Sequence, residues 1–413
     1  MHDTPARPRR ARALALALLL LPALATAAEP AWLAEARARE AAPVEPRPFR
    51  SVDGALAGRV PAKLSGDVVL EDDAYYLELD IGTGTPISCE VLVEGFDLAR
   101  MLRSTAALSF EQLAKAQGEI DGRTVERLDA GAFGALPWIA LDWLYRVRTP
   151  EGPMLGALKQ VVVDLRPHAL YCSHVELGYS RTFATVVEGL ARSLEYAGAA
   201  QPPGYLEVVT VRLGDRPVGV VTWTLETDAE GDVRSLLSSS MLVPAGEGVV
   251  TAQDASHVQW STADGRLINV MHVMSTNDET PLRLELNRTE ASDDWRVSGT
   301  FMGKPLEASL GPETPATVLA QARQRRALVS GPEPVGKSLD DRAWTSVDPT
   351  RLLPTRFTVT GRDAAGRYTA TEVTGPLAVD AVIDAATGSS LRMTMTVGPQ
   401  PLVLERVHVA GSL

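Results

Sequence analysis

The chain has 413 residues and a formal net charge of −12 at pH 7, from 40 Lys and Arg against 52 Asp and Glu. Binding to nucleic acid depends on clustered basic side chains that release counterions from phosphates, so this acidic balance argues against a nucleic-acid partner. The length exceeds what one ordinary hydrophobic core supports, and it predicts two domains.

The amino-terminal sequence has the pattern of an export signal. Four arginines lie between Arg7 and Arg12, a short apolar run follows, and "ATAAEP" supplies small residues for cleavage near Ala27 or Ala28. The run is shorter than the roughly 18 apolar residues that a membrane-spanning helix needs. We therefore expect residues 1–28 to be a signal peptide, and the rest to be a soluble periplasmic protein without an integral membrane segment.

The first predicted domain covers residues 51–198 and follows a flexible leader at residues 29–50. Runs such as "PISCEVLVE" alternate like strands, whereas "GFDLARMLRST" and "SFEQLAKAQG" have helical patterns, the second with Ser109 as its N-cap. A last helix is predicted from Ser180, as its cap, to Gly198. These patterns predict an α+β domain in which helices pack on an antiparallel sheet.

The second predicted domain covers residues 205–413 and follows a Pro- and Gly-rich linker at residues 199–204. Its sequence consists of strand-length apolar runs joined by Gly-Asp, Asp-Gly and Asn-Asp turns. One helix interrupts it, with Thr314 as cap and Pro315 in its first turn. We predict a mostly antiparallel β domain, a curved sheet or half-barrel that carries one helix, so the whole chain is assigned to the α+β class.

The second domain also resembles a known type of module. Its successive runs "VGVVTWTLETDAEG", "STADGRLINV", "PLRLELNR", "WRVSG", a helix and "AVDAVIDAATGSSLRMTMTVGPQPLVLERV" resemble the β-rich module that exported bacterial proteins carry ahead of transglutaminase-like cores. The layout is also similar to the half-barrels of periplasmic lipoprotein carriers. The resemblance implies a β-rich fold and a cell-envelope setting. It does not imply transglutaminase catalysis, because no cysteine follows Cys172.

The two cysteines, Cys89 and Cys172, both lie in strand-like runs of the first domain. An even count in an exported chain predicts a structural disulfide. It would close a loop of about 84 residues and stabilise the fold by up to about 4.5 kcal/mol in the chain-entropy model. The alternative is a Cys172 thiolate activated by His174, on the same side of the strand. A position inside a strand argues against it, because nucleophiles usually lie at a strand end or helix start.

Other patterns do not predict a catalytic, metal or cofactor site. A metal site at His168, Cys172 and His174 would need ligands from elsewhere in the chain. The sequence "GYSRT" lacks the second glycine of a nucleophile elbow, and "GTGTPIS" does not lead into a helix start that could bind phosphate. We therefore predict no catalytic residues, no metal and no cofactor.

A ligand-binding surface is predicted in the second domain. Trp223, Trp260, Met393 and Met395 occupy neighbouring strand patterns. Methionine is adaptable, so a concave sheet lined by Trp and Met suits an acyl chain or an apolar peptide segment. The alternative is that these side chains pack the interior against the helix at residues 314–330.

The composition and the lack of a nucleophile motif favour a non-enzymatic binding or assembly protein of the cell envelope, with a protein, an envelope component or a lipid as partner. One alternative is a periplasmic lipid or lipoprotein carrier, which requires a cavity on the order of several hundred Å3. The other is a hydrolase without a recognisable motif, which a pocket joining His168 or His174 to a buried carboxylate would favour.

Overall fold

The computed structural model describes residues 30–93, 98–166, 168–197, 204–246, 249–277, 279–289, 292–397 and 400–413. The predicted signal peptide, residues 1–28, and most of the predicted linker at 199–204 lie outside these ranges. Within them, no helix combines the length and the apolar character that crossing a membrane requires.

Four helices and twenty-five strands form in the described part of the chain. The helices are α1 (Ala31–Arg37), α2 (Leu98–Gln117), α3 (Ser180–Ser193) and α4 (Val318–Ser330). The strands before α3 are β1 (Arg47–Arg50), β2 (Leu56–Val60), β3 (Lys63–Ser65), β4 (Leu70–Glu71), β5 (Ala74–Asp80), β6 (Ile87–Leu92), β7 (Glu119–Phe133), β8 (Leu136–Thr149), β9 (Gly152–Asp164) and β10 (Ala169–His174). The strands after α3 are β11 (Glu195–Tyr196), β12 (Tyr205–Leu213), β13 (Arg216–Thr227), β14 (Val233–Gly246), β15 (Val249–Ser261), β16 (Leu267–Thr276), β17 (Glu279–Arg288), β18 (Trp295–Phe301), β19 (Lys304–Gly311), β20 (Ser338–Ala343), β21 (Leu353–Arg362), β22 (Tyr368–Thr374), β23 (Leu377–Ile383), β24 (Ser390–Val397) and β25 (Gln400–Gly411).

The α+β class that the sequence patterns predicted is wrong, because the protein is mainly β. Its strand pairs are antiparallel throughout the described residues. Residues 119–133, which show no clean alternation, form a strand of 15 residues. Pairing with β8, interrupted by two register shifts, satisfies the backbone groups on one edge of β7, so the sheet overrides the weak local pattern.

The strands form three sheets. A three-stranded sheet has the order β1-β2-β11, and an eight-stranded sheet has the order β3-β5-β6-β10-β9-β8-β7, with β4 beside β5. A fourteen-stranded sheet has the order β19-β18-β17-β16-β15-β14-β13-β12-β25-β24-β23-β22-β21-β20. The strands of the first two sheets end at Tyr196, and those of the third begin at Tyr205. We therefore keep the division at residues 51–198 and 205–413 as a proposal, with α1 and β1 inside the predicted leader.

Both faces of the eight-stranded sheet are covered by helices. On one face α3 packs through Phe183 and Leu190, and on the other α2 packs through Phe110. The cluster around α2 also contains Val208 and Val220 from the fourteen-stranded sheet. Helix α2 therefore lies between the two large sheets, and the two predicted domains share a hydrophobic core.

The fourteen-stranded sheet curves until its ends approach each other. In β17, Leu282, Leu284 and Leu286 alternate with exposed residues, as expected for a strand with one buried face. Trp344, which follows β20 at one end of the sheet, packs in the same cluster as these leucines and as Trp295 from β18, near the other end. We call the face that carries Leu284 and Trp295 the inner face, and the face that meets α2 the outer face.

Helix α4 covers part of the inner face. Leu319 packs beside Trp223, and Val329 packs beside Phe357 on the far side of the curved sheet. The helix therefore bridges strands that are distant in the sheet order.

The cap of this helix lies three residues after the predicted cap, Thr314. Thr317 caps it: its hydroxyl accepts the N–H of Ala320 at 3.0 Å and donates to the Gly265 carbonyl at 2.8 Å. Gly265 has a φ of +91°, and a Cβ at this position would lie 3.2 Å from that of Ala320. A glycine in the β15–β16 turn thus permits the close contact with the start of the helix.

The cap of α3 also differs from the predicted one, Ser180. Tyr179 is the N-cap residue and has a left-handed backbone, with no side-chain cap of its own. The carboxylate of Glu40 accepts the backbone N–H groups of Arg181 and Thr182 at 3.0 and 2.7 Å. A residue of the predicted leader therefore caps a helix that lies about 140 positions later in the sequence.

Helix α2 is one helix, where two were predicted. Ser109 lies inside it, and its hydroxyl is 3.1 Å from the Tyr171 hydroxyl on the sheet below. Helix α3 ends at Ser193 and does not reach the predicted end at Gly198, which lies outside the described residues. The chain becomes extended at the next position and pairs with β2 at residues 195–196.

Candidate functional site

The two cysteines face each other on neighbouring strands. Cys89 in β6 and Cys172 in β10 are direct cross-strand partners, and their Sγ atoms lie 2.08 Å apart. Both are buried in the cluster that contains Phe183 of α3. At this separation neither sulfur is a free thiol, so the geometry favours a structural disulfide over a nucleophile formed with His174.

The two histidines near Cys172 do not converge with it on one site. The His168 ring lies edge-on to Tyr196, with centroids 4.0 Å apart, and its Nδ1 is 2.9 Å from a backbone carbonyl oxygen. The Nε2 atom of His174 lies 3.3 Å from the Thr85 carbonyl oxygen. Within the described ranges, neither histidine belongs to a group of three His, Cys, Asp or Glu side chains with ligand spacing.

A row of buried titratable side chains crosses β8, β9 and β10. Asp142 pairs with Lys159 across the strands, and Lys159 pairs with His174. Lys159 donates to the Glu176 carbonyl, and His174 Nε2 lies 3.8 Å from Glu176 Oε2. Burial raises the pKa of Asp142 to about 6 and lowers the pKa of Lys159 to about 8, while the attraction between these two charges opposes both changes. Burial and the Lys159 charge lower the pKa of His174 to about 4.

An open cleft of about 540 Å3 lies near this row, between the leader and the β5–β6 turn. Its charged lining consists of Glu40, Arg47, Lys63 and Asp80. Tyr179 closes the side towards the row, with its ring 6.1 Å from that of His174. The row does not contribute to the described lining, so a molecule in the cleft would not contact it. Among the described lining residues, the cleft and the row therefore do not form one joined pocket.

The structure brings three of the four predicted ligand-binding residues to the inner face. Trp223 is buried there, with its Nε1 donating to Ser235 Oγ at 2.8 Å, in the cluster that includes α4. Met393 and Met395 are half-buried on the inner face of β24, and Met393 borders the cluster at the end of α4. Trp260 is the cross-strand partner of Arg234 and lies on the outer face.

Met395 and the apolar side chains around it and Trp223 form a surface that α4 does not cover completely. Five side chains belong to it, each from a different neighbouring strand between β14 and β24, and we call them the inner apolar patch: Val209, Val221, Leu237, Met395 and Leu404. Leu237 is 37% exposed, and the other four are half-buried. Trp223 is buried against α4 and is therefore a core residue, as in the alternative to ligand binding given above. The inner apolar patch, in contrast, is an accessible apolar surface.

A buried polar cluster lies at the covered part of the inner face. Arg406 donates to Asp384 Oδ2 at 2.5 Å, to Ser389 Oγ at 2.8 Å and to Glu207 Oε1 at 3.3 Å. Burial raises the pKa of Glu207, and the Arg406 charge opposes this rise. For Asp384, burial also favours the neutral acid, but the contacts with Arg406 outweigh it and lower the pKa. Every charge in this cluster has a partner, so it ties β12, β25 and the β23–β24 turn together.

Two histidines on the inner face were missed by the sequence analysis. His257 in β15 and His272 in β16 are direct cross-strand partners, with their Nδ1 atoms 3.3 Å apart. The Trp344 ring stacks on His257, with centroids 6.2 Å apart. Burial lowers the pKa of His257 to about 3 and that of His272 to about 4, so both rings are neutral at neutral pH. The two positions lie at nearly equal distances from the turn at residues 262–266, and this signal predicts their pairing.

No family model and no curated protein matches the chain. Among solved structures, a β-barrel-like protein of the domain of unknown function DUF1849 from Brucella abortus is 11% identical with a TM-score of 0.38, and the match covers 50% of this chain and 97% of that one. A DUF1089 family protein from Pseudomonas aeruginosa is 15% identical with a TM-score of 0.20, and the match covers 48% and 93%. The first description agrees with a β-rich module. The resemblance to modules of transglutaminase-like proteins and to lipoprotein carriers has no counterpart in these neighbours, and similarity at this level carries no argument about function.

Proposed function

We propose that the protein is an exported, periplasmic, non-enzymatic binding or assembly protein, and that the inner apolar patch holds an apolar segment of a partner protein. The observation that carries this proposal is Leu237, a large apolar side chain that is 37% exposed on a sheet face that helix α4 covers only in part. Burying a fully exposed leucine contributes roughly 1.5–3 kcal/mol. Covering the 37% of Leu237 that is still exposed would contribute a part of this, so contact with an apolar partner segment would be favourable.

The small volume of the cavity under helix α4 supports a protein partner over lipid carriage. The cavity between α4 and strands β20 and β21, which Phe357 helps to line, measures about 10 Å3. An enclosed acyl chain needs a volume on the order of hundreds of Å3. The patch is an open surface on which a segment of another protein can lie, and the remainder of that partner protein would shield the segment from water.

The periplasmic setting is proposed from the Arg-rich, apolar pattern of residues 1–28 and from the separation of Cys89 and Cys172. Disulfides persist in oxidising compartments and are rare in the cytosol. The acidic net charge of the chain supports a partner other than a nucleic acid.

The proposal is tested by site-specific photo-cross-linking in cells of the source. A cross-linking side chain replaces Leu237 on the inner face or, as control, Val373, which is 40% exposed on the outer face of β22. We expect a defined protein adduct at position 237 and none at 373. With the purified partner, Leu237→Glu should weaken binding by about tenfold or more, because it buries a charge, whereas Val373→Glu should not.

Native mass spectrometry of the protein isolated from its source provides the contrary outcomes. A phospholipid that copurifies in stoichiometric amount, together with no protein adduct at position 237, would replace the proposal with lipid carriage. Equal adducts at positions 237 and 373 would show that the patch has no specific role.

A further inference from the structure

We propose that His257, His272 and Met274 form a binding site for monovalent copper on the inner face of the curved sheet. The two Nδ1 atoms are 3.3 Å apart. Two imidazole nitrogens about 2.0–2.1 Å from one ion, at a tetrahedral angle, are separated by about 3.3–3.4 Å. The pair therefore already has the spacing of two ligands of a single ion.

The sheet holds both rings in this arrangement. His257 and His272 are direct partners in adjacent antiparallel strands, so no backbone rearrangement is required to bring them together. The Trp344 ring stacks on the His257 ring, and Leu284 is the cross-strand partner of His272 on the strand at the other side of the pair. Ligands carried by paired strands and packed by large apolar side chains are well preorganised for binding an ion.

Met274 supplies the third ligand. It follows His272 by two positions on the same face of β16, with regular pairing between them. Its Sδ atom accepts a hydrogen bond from Gln253 Nε2 at 3.0 Å, which orients the thioether.

The ligand chemistry selects the ion. Among the described residues, the group of three His, Cys, Asp or Glu side chains with ligand spacing is the exposed turn at Asp228, Glu230 and Asp232, and the histidine pair is not part of such a group. A zinc site built from imidazole, thiolate and carboxylate is thus not available at the pair. Imidazole together with a thioether, in apolar surroundings, favours monovalent copper.

The competing explanation is a simple hydrogen bond between the two rings, in which one Nδ1–H donates to the other Nδ1. Copper binding requires both Nδ1 lone pairs, so the proton of the donor ring must move to its Nε2. No net proton is released by this tautomer change, and no redox step is involved.

The test is an anaerobic titration of the full mature protein, disulfide intact, with Cu(I) in competition with a chromophoric Cu(I) chelator. We expect one equivalent to bind. His257→Gln and His272→Gln should each weaken Cu(I) binding by more than about tenfold, and Met274→Leu should also weaken it, because the thioether ligand is lost. The control is His408→Gln, since His408 is the cross-strand partner of the outer-face residue Val208 and should have no effect.

Circular dichroism and the thermal midpoint establish that each variant is folded. If the His257 and His272 variants do not fold, 15N NMR of the wild-type histidines decides, because Cu(I) should shift the Nδ1 resonances of these two residues alone. The inference is overturned if the wild-type protein leaves Cu(I) with the chelator, or if binding persists in the double variant His257→Gln/His272→Gln.

Discussion

The eight-stranded sheet differs from the inner face of the fourteen-stranded sheet in how completely helices cover its apolar side chains. Helices cover both faces of the first, and Lys159 and His174 of its titratable row are buried, with Asp142 half-buried beside them. The second has one helix, α4, which covers the surface near Trp223 but leaves Leu237 exposed. The comparison indicates that the covered regions carry the stability of this protein, whereas the uncovered part of the inner face is where we propose that a partner binds.

The largest expected effect concerns the covered part of the inner face. Arg406→Met leaves the buried carboxylate of Glu207 and the half-buried carboxylate of Asp384 without their cation, and we expect a loss of about 3–5 kcal/mol in the free energy of unfolding. Urea denaturation at pH 7 measures it. The loss should diminish as the pH falls, because protonation removes the unpaired charges.

The matched control for this variant is Arg356→Met. Arg356 forms a similar pair with Asp340, but both side chains are about two-thirds exposed. Exposed pairs contribute little, so this variant should unfold almost like the wild type. Equal losses for the two variants would contradict the view that burial decides which pair carries stability.

The next effect concerns the covered eight-stranded sheet. The double variant Cys89→Ala/Cys172→Ala should lose about 2–4 kcal/mol, chiefly because the unfolded chain regains conformational freedom. Thiol titration of the unfolded wild-type protein without reductant should find no free thiol. Two free thiols would restore the hypothesis of a Cys172/His174 nucleophile.

The smallest effect concerns the junction between the leader and α3. Glu40→Gln should cost about 1 kcal/mol, because the carboxylate caps the helix. Burial alone would raise the pKa of Glu40, but the hydrogen bonds from Thr182 and Arg181 outweigh it and lower the pKa.

The lowered pKa fixes the sign of the pH dependence. The contribution of Glu40 is complete above the pKa of the unfolded chain and disappears as the pH falls through the lower pKa of the folded protein. Wild type and Glu40→Gln should therefore converge in stability in acid, as measured by denaturation between pH 7 and pH 3. Glu35→Gln, at an exposed position of α1, is the control and should show no such convergence.

Local patterns predicted the elements whose burial follows from one covered face. The alternation in β6 and the helical spacing of Phe183 and Leu190 in α3 are of this kind, since in each element the buried residues recur on one face. The pattern failed at Trp260, because alternation shows which residues share a face but not which face becomes the inner one. In β13 both faces are buried, one by α4 and the other by α2, so sequence periodicity does not distinguish them.

The sequence by itself determined the acidic character that argues against nucleic-acid binding, the cysteine pair as the expected bridge, and the positions of most strands. These properties depend on composition and on contacts between neighbours in the chain. The tertiary structure alone decided that Glu40 caps α3 and that Leu237 stays exposed. Each depends on residues brought together by sheet curvature and strand register, and these follow from packing across the whole molecule.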